Sequence, residues 1–488
     1  MKNFKPFTLL FVLAFLASSC FNDIDDSQTT TNSINEFIWK GMNSWYTWQS
    51  QVPDLEDSKA DDAIAFDDYL NQFDSSIDLF NSLIYQDGIT DRFSWYVEDY
   101  IALQQQFQGI SKSFGLRFQS VQINTNGDVI FYVSYVANNS PASNANIKRG
   151  DIINAINGTF LNISNYVTAA NDFYNDSVTL SFVSESNGTL SSIEDKTISS
   201  VILSENPIHL TKVFDDINGH KVGYLVYTAF RTSYNDELND AFAIFKNENI
   251  DELILDLRHN GGGAVETSAY LSSMIYAGAG TDVFASLTFN EKHNNENDSY
   301  FFKNTLTVYD TNDNAIGEQP INRLNTLNRI YILTSNNTAS ASEMVINGLK
   351  PYMNSIKLVG TTTYGKNVGS VTLFDSPNTD YRQQSSANPT HTIAMQPIVF
   401  QIFNKNGESD YTQGFTPDIE VIEPQYWNNI LEFGDENEVI LKAALDDIRG
   451  IVSKNSMTKP SFYKALETNN ISEKFEKEMY IQNDLLDN

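Results

Sequence analysis

Three short segments carry residue types that could do chemistry together. The first, Asp256-Leu257-Arg258-His259-Asn260-Gly261-Gly262-Gly263, closes a short apolar run with consecutive glycines. Glycines let a backbone approach a ligand closely and turn an N–H toward it. Ligands of open α/β sheets gather at the C-terminal ends of strands. Taken alone, the segment is equally a tight strand-to-helix turn. The second is Ser335-Asn336-Asn337-Thr338-Ala339-Ser340-Ala341-Ser342-Glu343, followed by Met344, Val345, Ile346 and Leu349 on an apolar helical face. A hydroxyl at Ser340 would lie in the positive field of a helix N-terminus, which favours a developing oxyanion. The ordinary role of such serines is capping, for which Ser342 and Thr338 are candidates. The third, Thr361-Thr362-Thr363-Tyr364-Gly365-Lys366-Asn367-Val368-Gly369-Ser370, sets Lys366 just past another apolar run. A lysine there is ordinarily a solvated charge; desolvated and neutral, it can take a proton from serine.

These segments need a scaffold, and the apolar patterning supplies one. Leu253-Ile254-Leu255-Asp256-Leu257, Ile330-Tyr331-Ile332-Leu333-Thr334 and Ile356-Lys357-Leu358-Val359-Gly360 are nearly continuous apolar runs. Such runs suit strands buried on both faces of a helix-covered sheet. Val222-Gly223-Tyr224-Leu225-Val226 is a further strand, followed by a helical pattern through Leu238, Phe242 and Phe245. The polar stretch from Thr281 to Asn325 reads as an irregular or β-hairpin excursion. From Ile34 to Phe107, Phe37, Ile38, Met42, Trp45 and Trp48 and then Phe66, Tyr69, Leu70 and Phe73 recur at helical spacing. This predicts a small helical domain whose stripe is core, with no chemistry of its own. From Ser113 to Ser204 the period changes, with strand-like runs at Val129–Val133 and Val178–Val183.

Between those two runs stand Ser140-Pro141-Ala142 and Ile147-Lys148-Arg149-Gly150-Asp151-Ile152-Ile153-Asn154-Ala155-Ile156-Asn157-Gly158, preceded by Phe114-Gly115-Leu116-Arg117-Phe118. In this order they resemble a PDZ domain. That resemblance implies that Gly115, Leu116, Arg117 and Phe118 form the loop whose N–H groups hold a chain terminus while the sheet edge accepts the peptide as an added strand. The three chemical segments together resemble the C-terminal processing (tail-specific) serine protease family. Its catalytic domain carries Asp-Leu-Arg-Asn-Asn-Pro-Gly-Gly, Ser-Ala-Ser-Ala-Ser-Glu and a later Gly-Lys. The resemblance implies that Ser340 is the nucleophile, that Lys366, 26 residues on, is its general base, and that the N–H groups of Gly262 and Ala341 form the oxyanion hole. Gln413-Gly414-Phe415-Thr416-Pro417-Asp418 also matches the family. Four positions differ: Gly261 replaces the family's Pro, His259 an Asn, Thr338 the first Ser of the serine motif, and Ser370 the Gln that many members place four residues after the lysine. Ser370 is therefore expected to support Lys366 through a weaker hydrogen bond.

The N-terminus carries an address rather than fold. Lys2 and Lys5 flank the start of an apolar run from Pro6 to Ala17, too short for a mature membrane span, and Ala17-Ser18-Ser19 leads into Cys20. This reads as a secretory signal and resembles a bacterial lipoprotein signal, with Cys20 lipidated. Cys20 is the only cysteine of the 488 residues, which excludes an internal disulfide and a thiolate metal site. A formal net charge of −31, with no local basic cluster, argues against nucleic acid as a partner.

The expectation is thus a multidomain α+β protein. Its parts are a lipoprotein signal peptide (1–20), a polar linker (21–33), a helical N-terminal domain (34–107), a PDZ β-barrel-like domain (108–204), an α/β, ClpP/crotonase-like catalytic domain (205–450) and an unassigned C-terminal tail (451–488). The expected protein is an exported serine endopeptidase, lipid-anchored in the cell envelope. Its substrates are proteins or peptides with accessible C-termini, and it needs neither cofactor nor metal. Three rivals stand beside it: a Ser-His hydrolase using one of His209, His220, His259, His293 or His391; a catalytically silent peptide-binding platform; and, by fold analogy, a crotonase-type enzyme.

Overall fold

In the computed structural model, the strand Glu252–Asp256 is buried along its whole length, as its unbroken apolar run requires. The structure describes residues 31–310, 314–327, 329–451, 462–466 and 474–482. The signal segment, Cys20 and most of the linker lie outside the described residues. Around this strand runs a six-stranded sheet in the order Ile208–Ile217, His220–Tyr227, Glu252–Asp256, Arg329–Thr334, Ile356–Gly360 and Ile419–Glu420. The first pair is antiparallel and the others parallel. Alternate side chains feed two cores. Leu253, Leu255, Ile330 and Ile332 face the helices Asn235–Glu248, Val265–Ile275 and Ala341–Leu349. Ile254, Tyr331 and Leu333 face the helix Val439–Ile448.

A second sheet lies beside the first, in the order Gly263–Ala264, Met479–Tyr480, Val368–Ser370, Ile398–Phe403, Val283–Phe289 and Asp298–Phe301. The polar stretch expected to be irregular or hairpin-like supplies two hairpins, Val283–Phe289 with Asp298–Phe301 and Thr305–Tyr309 with Ala315–Pro320. The C-terminal region, where no element was expected, contributes two strands. Met479–Tyr480 is interior to this second sheet, and Lys464–Leu466 adds antiparallel to Leu116–Gln122.

The chain between Ile110 and Ser204 folds around its own core of Val129, Phe131, Val133, Ile153, Leu180 and Phe182. Its strands run in the order Leu116–Gln122, Val129–Val136, Ile152–Ile156, Ser177–Ser186 and Thr189–Ser199, beside a short helix Tyr166–Ala170. Of the N-terminal helices, Thr31–Trp45 and Ala63–Leu70 carry the two apolar stripes, and Ser76–Ser82 and Tyr100–Phe107 follow them. They are less separate than a domain with its own core would be. Phe37, Ile38, Met42 and Trp45 share one core with the catalytic sheet, and Trp95–Val97 pairs with Ala394–Gln396.

A buried ion network fastens the second domain to the six-stranded sheet. Arg258 pairs with Asp256 (2.9 Å) and Glu438 (2.8 Å). Arg149, from the Arg-Gly-Asp turn of the second domain, reaches the same Glu438 (3.1 Å) and Glu423 (2.5 Å). Buried charges persist only when each has partners. Here Glu438 joins both guanidiniums, and its carboxyl is held down at about 2, burial being outweighed by Arg258 and Arg149. The end of the strand that becomes the glycine loop is thereby fixed.

Candidate active site

Ser340 stands at the entry to the helix Ala341–Leu349, every residue of which is buried. Its backbone, at φ 65° and ψ −119°, occupies a region that costs a non-glycine residue about 1–3 kcal/mol. Strain of this kind aims a side chain where a relaxed turn would not. Its hydroxyl is buried and has no hydrogen-bond partner. Ser342 and Thr338, the candidate caps, instead brace the neighbouring loop: Ser342 Oγ donates to the Asn260 carbonyl (3.0 Å) and Thr338 Oγ1 to that of Leu257 (2.8 Å).

Glu343 holds the site together. One carboxylate oxygen accepts the Ser340 N–H (2.9 Å) and the Lys366 N–H (2.8 Å). The other accepts the Gly365 N–H (2.7 Å) and the Thr363 hydroxyl (2.6 Å). Burial pushes this carboxyl up to about 6, while the Thr363 hydroxyl and the three amides pull it back. All four partners are donors, the arrangement an ionised carboxylate accommodates. The serine turn and the lysine loop, 26 residues apart in sequence, therefore meet on one side chain.

Lys366 is 1% exposed, and its ammonium lies 3.1 Å from Glu478 Oε1 and 4.9 Å from the centre of the Phe93 ring. Ser370 shares that oxygen: its hydroxyl donates to Glu478 Oε1 (2.5 Å) and accepts from Gln396 Nε2 (2.9 Å). The expected Ser370–Lys366 support is thus indirect, through Glu478. Trp95 Nε1 donates to the other Glu478 oxygen (3.2 Å). The N-terminal region, expected to carry no chemistry of its own, lines the site with Phe93 and Trp95.

In the glycine loop, Gly262 and Gly263 adopt φ +123° and +134°, conformations that favour glycine. The Gly262 N–H donates to Asn260 Oδ1 (2.9 Å), whereas that of Gly263 donates to the Glu478 carbonyl (2.7 Å). Ala341 opens its helix, so its N–H is among the amides without an intrahelical partner. The point where Gly262 would carry a Cβ is 3.0 Å from Ser340 Oγ, so loop and serine are adjacent.

In the second domain, Gly115 turns at φ +73°, and Leu116 begins the strand that Lys464–Leu466 covers. Phe118 stacks on Phe131 inside the domain. Arg117 leaves the loop and donates to the His259 carbonyl (2.8 Å), tying the domain to the glycine loop. A cavity of about 190 Å³ joins the two, lined by Gly115, Arg117, Tyr135, Glu205, Gly261 and Glu476.

No histidine hydrogen-bonds Ser340. His259 is buried without a partner for either ring nitrogen, and burial together with Arg149, Arg117 and Arg258 holds its pKa well below the ordinary value. His220 pairs with Asp251, His391 with Asp375, and His293 with Ser44. His209 packs against Tyr135 and Phe433. His220, Asp251 and Glu252 cluster closely enough to suggest a metal, but both Glu252 oxygens accept from Arg329 Nε (3.0 and 2.9 Å), so ion pairing accounts for the cluster. Glu343 was visible in the serine motif without a role. Asn260 likewise stood in the glycine motif without a role. Gln396, Trp95 and Glu478 come from separated parts of the chain, and no local pattern marks them.

Known proteins resemble this chain in sequence and in fold. The model for peptidase family S41 matches residues 221–421, and that for the peptidase S41 N-terminal domain matches residues 33–95. A Staphylococcus aureus (strain N315) protein described as a CtpA-like serine protease is 25% identical over 290 residues, covering 59% of this chain and 49% of its own length. A carboxyl-terminal-processing protease of Picosynechococcus is 27% identical over 292 residues, covering 58% of this chain and 60% of its own. A solved structure from Bacteroides fragilis, assigned as an S41 protease, is 26% identical with a TM-score of 0.65, covering 86% of this chain and 98% of that one. The chain spans about half the length of the Staphylococcus relative. The two family models, covering residues 33–95 and 221–421, define a peptidase of the S41 type. Within it, the chain is similar to the C-terminal processing proteases.

Glu343→Gln gives an amide one acceptor oxygen where four donors converge, leaving buried N–H groups unpaired at about 1–3 kcal/mol each. Urea unfolding of the variant should show a loss of about 2–4 kcal/mol; unchanged stability would refute the role of Glu343 as the hub.

Proposed function

We propose that the protein is a serine endopeptidase that cleaves proteins or peptides near their C-termini, with Ser340 as nucleophile and Lys366 as general base. The observation that carries this reading is the convergence of a strained, buried Ser340 and a buried Lys366 on Glu343, beside a glycine loop. Neutral Lys366 accepts the Ser340 proton as Oγ bonds to the scissile carbonyl carbon. The N–H groups of Gly262 and Ala341 stabilise the oxyanion once Gly262 turns from Asn260. Collapse of the tetrahedral intermediate breaks the C–N bond, and Lys366 returns its proton to the departing amine. Water, deprotonated by Lys366, then hydrolyses the acyl-enzyme.

The second domain is read as a PDZ module that presents substrate tails to this site. Its strand edge beside Gly115, paired with Lys464–Leu466 only over Ser120–Gln122, suits strand addition, and tethering raises the local substrate concentration. Lys366, and no histidine, shares the Glu343 carboxylate with Ser340, which favours lysine over a Ser-His arrangement. Residues 1–20 are read as a lipoprotein signal and Cys20 as the site of an anchor in the cell envelope. No helix among the described residues is long and apolar enough to cross a membrane.

The chain from residue 21, incubated with β-casein, should release fragments. Ser340→Ala and Lys366→Ala should abolish release, and His259→Ala should leave it within about threefold. Cleavage that survives Lys366→Ala or is lost with His259→Ala would overturn the dyad. In a host that lipidates exported proteins, Cys20→Ala should move the full chain from the membrane fraction to the soluble fraction; unchanged partition would exclude the anchor.

A further inference from the structure

The C-terminal part of the sequence occupies both surfaces that a polypeptide substrate would need. Met479–Tyr480 is inserted between Gly263–Ala264 and Val368–Ser370, pairing in parallel with both. Its backbone is read on both sides: the Glu478 carbonyl accepts the Gly263 N–H (2.7 Å), and the Ile481 N–H donates to the Ser370 carbonyl (3.3 Å). The approach is close enough that a side chain at Gly261 would collide with the Glu476 carbonyl. Tyr480 stacks on Phe107 with centroids 3.9 Å apart, and Met479 is fully buried.

The side chain of Glu478 is more telling than its backbone. Only 2% of it is exposed, and burying a carboxylate is unfavourable unless its partners are in place. Four are supplied: the Lys366 ammonium, the Ser370 hydroxyl, the Trp95 indole N–H and the Met479 N–H. An ammonium donating to a carboxylate has no lone pair with which to accept the serine proton. Two further features agree with a silent state. Ser340 Oγ has no hydrogen-bond partner, and the Gly262 N–H is engaged by Asn260.

Upstream, Lys464–Leu466 pairs with Gln122, Val121 and Ser120 in turn, so it advances antiparallel toward the Gly115 turn. Leu466 packs on the core of the second domain. This is strand addition at the edge assigned above to substrate tails.

We propose that residues 464–466 and 476–481 are an intramolecular blocking ligand, which fills the substrate path and holds Lys366 in an ion pair with Glu478. The inference rests on the Ser340–Lys366 reading. Being tethered, the segment competes at high effective concentration, so free short peptides lose to it. A long extended polypeptide that takes both strand edges can displace it.

Full-length Glu478→Gln should turn over β-casein at least about tenfold faster than the wild type, since one partner of a buried ion pair is gone. Ser340→Ala in the same chain should abolish that gain. Amide exchange at Gly263, measured in the Ser340→Ala background, reports docking without chemistry; it should be protected with Glu478 and fast with Glu478→Lys. Equal turnover in wild type and Glu478→Gln, abolished in both by Ser340→Ala, overturns the block and leaves the peptidase reading intact. Slower turnover in Glu478→Gln likewise overturns it, making Glu478 a positioning partner of Lys366. Two inert chains, or a Gly263 amide that exchanges freely with Glu478 present, also overturn the block. Turnover that survives Ser340→Ala overturns the peptidase reading instead.

Discussion

The site depends on one buried carboxylate. Glu343 collects the Ser340 and Lys366 amides on one oxygen and the Gly365 amide and Thr363 hydroxyl on the other. Without it, the entry to the serine helix and the lysine loop would be two unrelated strand-end turns. Its position three residues after Ser340 is that of the returning half of a capping box, so an ordinary helix-start device also registers the two chemical groups. The cost is visible in its own titration, raised by burial.

A second constraint carries the geometry outward. Asp256, Arg258, Glu438 and Arg149 form a buried chain of ion pairs from the strand end beneath the glycine loop to a turn of the second domain. Arg117 adds a direct bond from the second domain to the His259 carbonyl. The edge of the second domain is thus physically connected to the glycine loop beside Ser340. Residues 464–466 lie on that edge and residues 476–481 in the cleft, so one segment addresses both ends of this connection.

Much of this was legible in the sequence, for identifiable reasons. The parallel strands announced themselves as apolar runs because both of their faces are buried, and the N-terminal stripe read as helical because its period is helical. Ser340, Lys366 and the glycine loop were legible only jointly, since a serine before a helix and a lysine in a loop have commoner roles. The order of motifs decided it. Glu478 was not legible: its segment is short, mixed in charge and without a period, and it gains structure only by pairing with strands more than a hundred residues away. Gln396 and Trp95 were not legible either, because they meet only through pairing of distant strands. Ser370, which departs from the family pattern, proved to connect Gln396 to Glu478 rather than to contact Lys366 directly.

The central claim is that Ser340 is a nucleophile activated by Lys366. Mass-spectrometric mapping of a fluorophosphonate adduct, on the wild-type and Glu478→Gln chains, tests it most directly. The account predicts a single adduct, on Ser340, lost in folded Lys366→Ala. An adduct on another residue, or one undiminished by Lys366→Ala, would contradict it.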